Sequence, residues 1–99
     1  MIRHIVLWRL NGDTPEHKEQ SARAIKTALE ALNGKIPGLL RLEVGLDFSR
    51  GADSADIALY SEFESRAALH AYHDHPEHLK VVPLVKSARC ERRIIDFEA

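Results

Sequence analysis

The 99-residue chain is the length of one domain, and at that size folding buries only roughly 60 to 65 % of the unfolded surface, so its core is modest. Apolar residues at 44% and charged residues at 29% exclude a disordered chain. Fourteen Lys and Arg against 15 Asp and Glu, scattered along the sequence, give a formal charge of -1 and exclude the basic footprint of a nucleic-acid or anionic-membrane binder. Cys90 is the only cysteine, so no intramolecular disulfide forms and the reducing cytoplasm is the expected compartment. The early apolar run Ile5-Val6-Leu7-Trp8 falls far short of a signal-peptide core or a spanning helix, so neither export nor membrane insertion is expected.

Ile2 to Leu10 reads as a first strand, rich in β-branched and aromatic residues. One face presents Ile2, His4, Val6, Trp8 and Leu10, and the other Arg3, Ile5, Leu7 and Arg9, so both faces call for cover. After Asn11-Gly12-Asp13, Thr14 and Pro15 open a helix, the first as cap and the second as an N1 residue with no donor to lose. Ala22, Ile25, Leu29 and Leu32 form its apolar stripe, and Asn33-Gly34 ends it. Ile36-Pro37-Gly38 leads into a second strand with Leu40, Leu42, Val44, Leu46 and Phe48 expected on one face.

A polar loop from Ser49 to Ser54 precedes a third strand, from about Ala55 to Glu64, which pairs with the second as a hairpin. Ser65 caps another helix with Ala68, Leu69 and Tyr72 on its buried side, and Pro76 ends it by pushing His75 away from helical angles. A further helical turn or two follows, which Pro83 is expected to kink or end, and Ile94-Ile95-Asp96-Phe97 forms the last strand. This β-α-β-β-α-β order with right-handed crossovers is an α+β, ferredoxin-like fold: a four-stranded antiparallel sheet with both helices on one face. The uncovered apolar face marks an interaction surface, and a second copy of the chain is the expected cover, giving a homodimeric barrel.

Residues along the whole chain resemble the stress-responsive dimeric α/β-barrel family: the opening Ile2-Arg3-His4-Ile5-Val6-Leu7, Ile36-Pro37-Gly38, Gly45 and Asp47, Phe63, Tyr72 followed by His75-Pro76-Glu77-His78, and the closing Ile95-Asp96-Phe97. The resemblance implies a single domain over 1-99, a homodimer joined through the sheet face and a pocket between the sheet and its own helices. One branch is similar to cofactor-free polyketide cyclases, whose helix tyrosine and post-proline histidine Tyr72 and His78 match, and whose first-strand histidine His4 matches. A further polar strand residue of that branch is Ile57 here, a departure from the pattern. The barrel is also similar to antibiotic-biosynthesis monooxygenases and muconolactone isomerase-like proteins, so oxygenation, isomerisation or simple binding are all open.

His4, Tyr72 and His78 are the candidate catalytic residues. His78 aligns with Val81, Val82 and Val85 in a helix starting at Pro76, and an inward imidazole in apolar surroundings stays neutral and basic. It would take a proton beside a carbonyl while Tyr72 or His4 donates to the developing enolate oxygen. Each also has a plain structural reading, as a hydrogen-bonded buried histidine or an amphipathic core tyrosine. His70, His73, His75 and His78 with Asp74 and Glu77 have the chemistry of metal ligands. No metal site is expected, because His70 and His73 should share an outer helix face while His78 points inward. The reading is a protein with no cofactor and an apolar pocket for a small carbonyl-bearing metabolite, with a non-catalytic ligand-binding module as the alternative.

Overall fold

The structure is a computed structural model that describes all residues from Met1 to Ala99. The strands are β1 (Ile2–Leu10), β2 (Leu39–Leu46), β3 (Ile57–Phe63) and β4 (Arg89–Glu98). The helices are α1 (Pro15–Glu30), α2 (Arg66–Asp74) and α3 (Pro76–Ala88). One four-stranded sheet has the order β2-β3-β1-β4, with every neighbouring pair antiparallel. The fold is ferredoxin-like, and the helical turn or two expected after Pro76 is a full third helix.

Local chemistry explains most boundaries. Thr14 Oγ1 accepts the His17 N–H at 3.1 Å and Pro15 stands at the first helical position of α1. Ser65 Oγ does the same for the Ala68 N–H at the start of α2, also at 3.1 Å. Each cap satisfies a donor that the first helical turn cannot. Gly34 takes φ +80 after α1, where a side chain would be strained. Gly38 is required twice over: its φ is +83, and a Cβ there would lie 2.5 Å from the Ala68 Cβ, so its bareness lets α2 seat against the start of β2.

The core lies between the helices and one sheet face. Val6, Trp8, Leu42, Val44, Leu59 and Phe63 from the sheet meet Ile25, Leu29, Leu69, Tyr72, Val81 and Val85 from the helices. The other sheet face carries Arg3, Ile5, Leu7 and Arg9 of β1 beside Phe97, Ile95, Arg93 and Glu91 of β4. Leu7, Ile95 and Phe97 are exposed there.

Four expectations are corrected. The alternation of β2 does not run through Leu40 and Phe48: the register with β3 shifts between Leu39 and Arg41, so Leu40 is exposed, and the strand ends before Phe48, which is 93% exposed. A single inserted residue of this kind moves a side chain off its face. The third strand is shorter at both ends than Ala55 to Glu64. Pro83 does not end α3, which continues to Ala88; the proline is exposed, and Val81 and Val85 anchor the segment on its other side. The last strand begins at Arg89, five residues before Ile94, because pairing with β1 rather than side-chain alternation defines it.

Candidate active site between the sheet and its helices

The register of the two middle strands, β1 and β3, and the edge strand β4 brings three polar residues together. His4 stands opposite Ser61 on β3 and Asp96 on β4. Directly paired residues point to the same sheet face, so all three side chains enter the helix-covered side. His4 is 2% exposed and its Nδ1–H donates to the Asp96 carboxylate. That contact leaves Nε2 as the basic ring nitrogen. Ser61 Oγ–H donates to the His4 carbonyl at 2.8 Å, which tethers β3 to the same point.

The helices supply the other groups. Tyr72 lies one turn after the Leu69 anchor of α2, and His73 follows it. Pro76 forces His75 into an extended conformation (ψ 135), so the chain turns there before α3 carries His78 back over the cavity. His75 caps α3, its Nδ1 accepting the Glu77 N–H at 3.1 Å. His78 Nδ1–H donates to the His73 carbonyl at 3.2 Å, across the break between α2 and α3, and its Nε2 is again the free basic nitrogen. The rings of Tyr72 and His78 lie 4.3 Å apart between centroids, those of His4 and Tyr72 6.3 Å, and His73 is 5.5 Å from His4 and 5.9 Å from His78.

These rings border a cavity of about 200 Å³ whose walls include His4, Trp8, Tyr72, His73, His78 and Arg92. Drug-sized ligands occupy pockets of roughly 300–1,000 Å³, so this one suits a small molecule. Burial pushes the Tyr72 phenol pKa up, keeping it protonated as a hydrogen-bond donor. Burial also lowers the His78 pKa, opposed by its hydrogen bond to the His73 carbonyl and aided by nearby His4. For His73 the same direction comes from burial first, then from His4 and His78. The Trp8 indole Nε1–H is buried in the wall without a hydrogen-bond partner.

A larger depression of about 690 Å³ lies beside the β1–α1 turn and the β2–β3 loop. Several of its polar groups are already engaged: Arg23 pairs with Glu19, Arg9 with Glu91 outside it, and Asp56 and Asp47 accept the Leu10 and Arg50 N–H groups. Those contacts hold loops in place, and the chemically equipped cavity is the smaller one.

His4, Tyr72 and His78 therefore meet at one place. His73 was expected on an outer face with His70; only His70 is exposed, whereas His73 is half-buried against the cavity. The helix axis is set by how α2 packs, which spacing alone does not reveal. No three His, Cys, Asp or Glu side chains are arranged to hold a metal ion. Asp96 and Arg92 were also missed. Asp96 was visible as the one acid in the closing apolar run, and parity with His4 across two adjacent antiparallel strands would have found it.

The sequence profile of the stress-responsive A/B barrel domain matches residues 2–99. The chain belongs to that family. A dimeric protein of unknown function and ferredoxin-like fold from Bacteroides fragilis is 36% identical, with a TM-score of 0.88 over 99% of this chain and 95% of the other. A dimeric ferredoxin-like protein of unknown function from Thermobifida fusca is 29% identical, with a TM-score of 0.83 over 99% of this chain and 90% of that one. A hydroxynitrile lyase from Passiflora edulis shares the fold at 20% identity and a TM-score of 0.74, over 97% of this chain and 90% of its own. An antibiotic biosynthesis monooxygenase shares it at 18% identity and 0.75, over 100% and 98%. No curated protein matches the sequence. The same fold thus carries different chemistries in those two proteins.

Proposed function

We infer that the protein acts on a small carbonyl-bearing metabolite by cofactor-free acid–base chemistry in the cavity of His4, Tyr72 and His78. The observation that carries this reading is the convergence there of two histidines with free basic nitrogens and a protonated phenol. His78 Nε2 takes a proton from the carbon next to the carbonyl. The C–H electron pair moves onto the carbonyl oxygen, and the Tyr72 hydroxyl donates to the enolate that results. The proton taken up by His78 then returns to carbon or oxygen, while His4, held in one tautomer by Asp96, keeps a second proton-accepting nitrogen on the cavity. Return of the proton to a different atom gives isomerisation; in aldol-type ring closure the enolate carbon instead bonds to a second carbonyl of the same substrate, whose C=O electron pair becomes an alkoxide that takes the proton.

The working unit is a homodimer joined through the free sheet face. Exposed Leu7, Ile95 and Phe97 on that face support this, as do the dimeric relatives. The test of the chemistry is deuterium exchange in D2O. Small ketones and β-keto acids incubated with the protein should lose their α-protons by NMR at a rate that His78→Ala lowers about 10²-fold or more. Exchange no faster than in buffer ends the enzymatic reading.

One observation favours a binding module without turnover. The His78–His73 hydrogen bond ties α3 to α2, which is a sufficient structural use for that histidine. Under that reading His78→Ala costs about 1–3 kcal/mol of stability and leaves ligand affinity unchanged. Oxygen uptake with an electron-rich phenol would instead mark monooxygenase-like chemistry.

A further inference from the structure

The mouth of the same cavity is cationic, and its charges make no ion-pair contact within the chain. Lys86 in the last turn of α3, Arg89 at the α3–β4 junction and Arg92 on β4 all line it. None of the three takes part in an ion pair, although Arg9, Arg41, Arg66 and Arg93 elsewhere on the sheet and α2 all do. The carboxylate whose charge acts on Arg92 is Asp96, four residues along the same strand face, and His4 already holds it.

Placement makes the arrangement more than a surface patch. Arg92 is the direct cross-strand partner of Trp8, so the guanidinium and the indole share the helix-covered face. Trp8 is 5% exposed, and its Nε1–H is a buried donor with no acceptor in the protein. An orphaned buried donor costs free energy that an incoming acceptor restores. Burial and the neighbouring Arg89 both lower the Arg92 pKa, so a bound anion would relieve that repulsion.

We propose that the cavity selects a carboxylate-bearing substrate, a small oxo acid, whose carboxylate is gripped by Arg92 and Arg89 with Lys86 at the rim and accepts from the Trp8 indole. A planar guanidinium matches a carboxylate in two parallel hydrogen bonds, which a neutral ketone cannot form. The carbonyl then lies inward toward Tyr72 and His78. This substrate class rests on the acid–base reading of the same cavity, but its recognition step is measurable without turnover.

The experiment is an NMR titration of the 15N-labelled protein with acetoacetate and, separately, with acetoacetamide, the same ketone without the charge. Acetoacetate should shift the Trp8 indole resonance and bind at least about tenfold more tightly than the amide, a difference of about 1.4 kcal/mol. The preference should shrink with added salt and vanish in Arg89→Gln/Arg92→Gln, with the fold checked by the rest of the amide spectrum. Equal affinity for the two ketones, an unmoved indole resonance, or a preference that survives in the double variant overturns the proposal. Inorganic phosphate binding more tightly than acetoacetate overturns the carboxylate assignment in favour of a phosphate. Charge preference without any α-proton exchange would keep the anion site and remove the acid–base reading; exchange of both ketones at equal rates and affinities would do the reverse.

Discussion

The two faces of the sheet are made by the same four strands, one residue out of phase, yet they have opposite chemistry. On the helix side His4, Val6 and Trp8 are buried, and the polar groups are mostly engaged: His4 with Asp96, and Ser61 with the His4 carbonyl. On the free side Ile5, Leu7, Ile95 and Phe97 form an apolar stripe flanked by charges, with Arg41 over the Tyr60 ring and Tyr60 donating to Glu62. Each face keeps one buried donor without a partner, Trp8 Nε1 on the helix side and Arg3 Nε on the free side. Each orphan stands where a partner is proposed, a small anion in one case and a second subunit in the other. A face completed by the chain itself leaves room for a site, and a face left incomplete calls for assembly.

The sharpest way to break this comparison is to truncate one leucine on each side. Leu59→Ala, in the core at 2% exposure, should cost about 2–5 kcal/mol at any protein concentration. Leu7→Ala on the free face should act through association: its melting temperature should depend on protein concentration more steeply than that of the wild type. If Leu7→Ala shifts stability by no more than about 0.5 kcal/mol, as surface substitutions do, and sedimentation equilibrium at micromolar concentration finds a monomer, the free face is not an interface.

Next in size is the dyad. Asp96→Ala leaves the buried His4 Nδ1–H without its acceptor and should destabilise the protein by about 1–3 kcal/mol, measured by urea unfolding. Asp96→Asn restores an acceptor without the charge. It should recover most of the stability while lowering α-proton exchange, which separates the hydrogen bond to His4 from the carboxylate charge beside it.

Tyr72→Phe keeps the ring that packs 5.0 Å from Phe63 and removes only the hydroxyl, so exchange should fall with little change in melting temperature. Loss of stability without loss of exchange would make Tyr72 a core residue.

The smallest effect is the pH dependence on the helix side. His73 and His78 have folded-state pKa values below the ordinary 6.5, chiefly through burial. Below pH 6.5 the unfolded chain therefore binds more protons than the folded one, so this stability is complete above that pH and is lost as pH falls through the folded values. His73→Gln with His78→Gln should flatten the stability profile as pH falls below 6.5, measured by urea unfolding at successive pH values. An unchanged profile would mean that the two rings are as solvated folded as unfolded.

Much of the fold was legible because it is written locally. Alternation in Ile2 to Leu10 and in Leu42 to Leu46, the stripe of Ala22, Ile25 and Leu29, and the caps at Thr14 and Ser65 all act within a few residues. The same local rules misread Leu40 and Pro83. The first depends on a register shift against β3, and the second on a helix held in place by Val81 and Val85. The early start of β4 at Arg89 was invisible for a related reason: Arg-Cys-Glu-Arg-Arg has no apolar alternation, and it is a strand only because β1 lies beside it.

The sequence by itself therefore determined the order of elements, their caps and the chemically capable residue types, since these follow from propensity and hydrogen bonding between near neighbours. Only the tertiary structure decided which of those residues meet. His4 and Asp96 are 92 positions apart and are joined by strand register, His73 turns inward because α2 packs at one rotation about its axis, and Arg92 faces Trp8 because an edge strand pairs with β1. Register and packing depend on contacts between distant segments, which a periodic pattern within one segment does not encode.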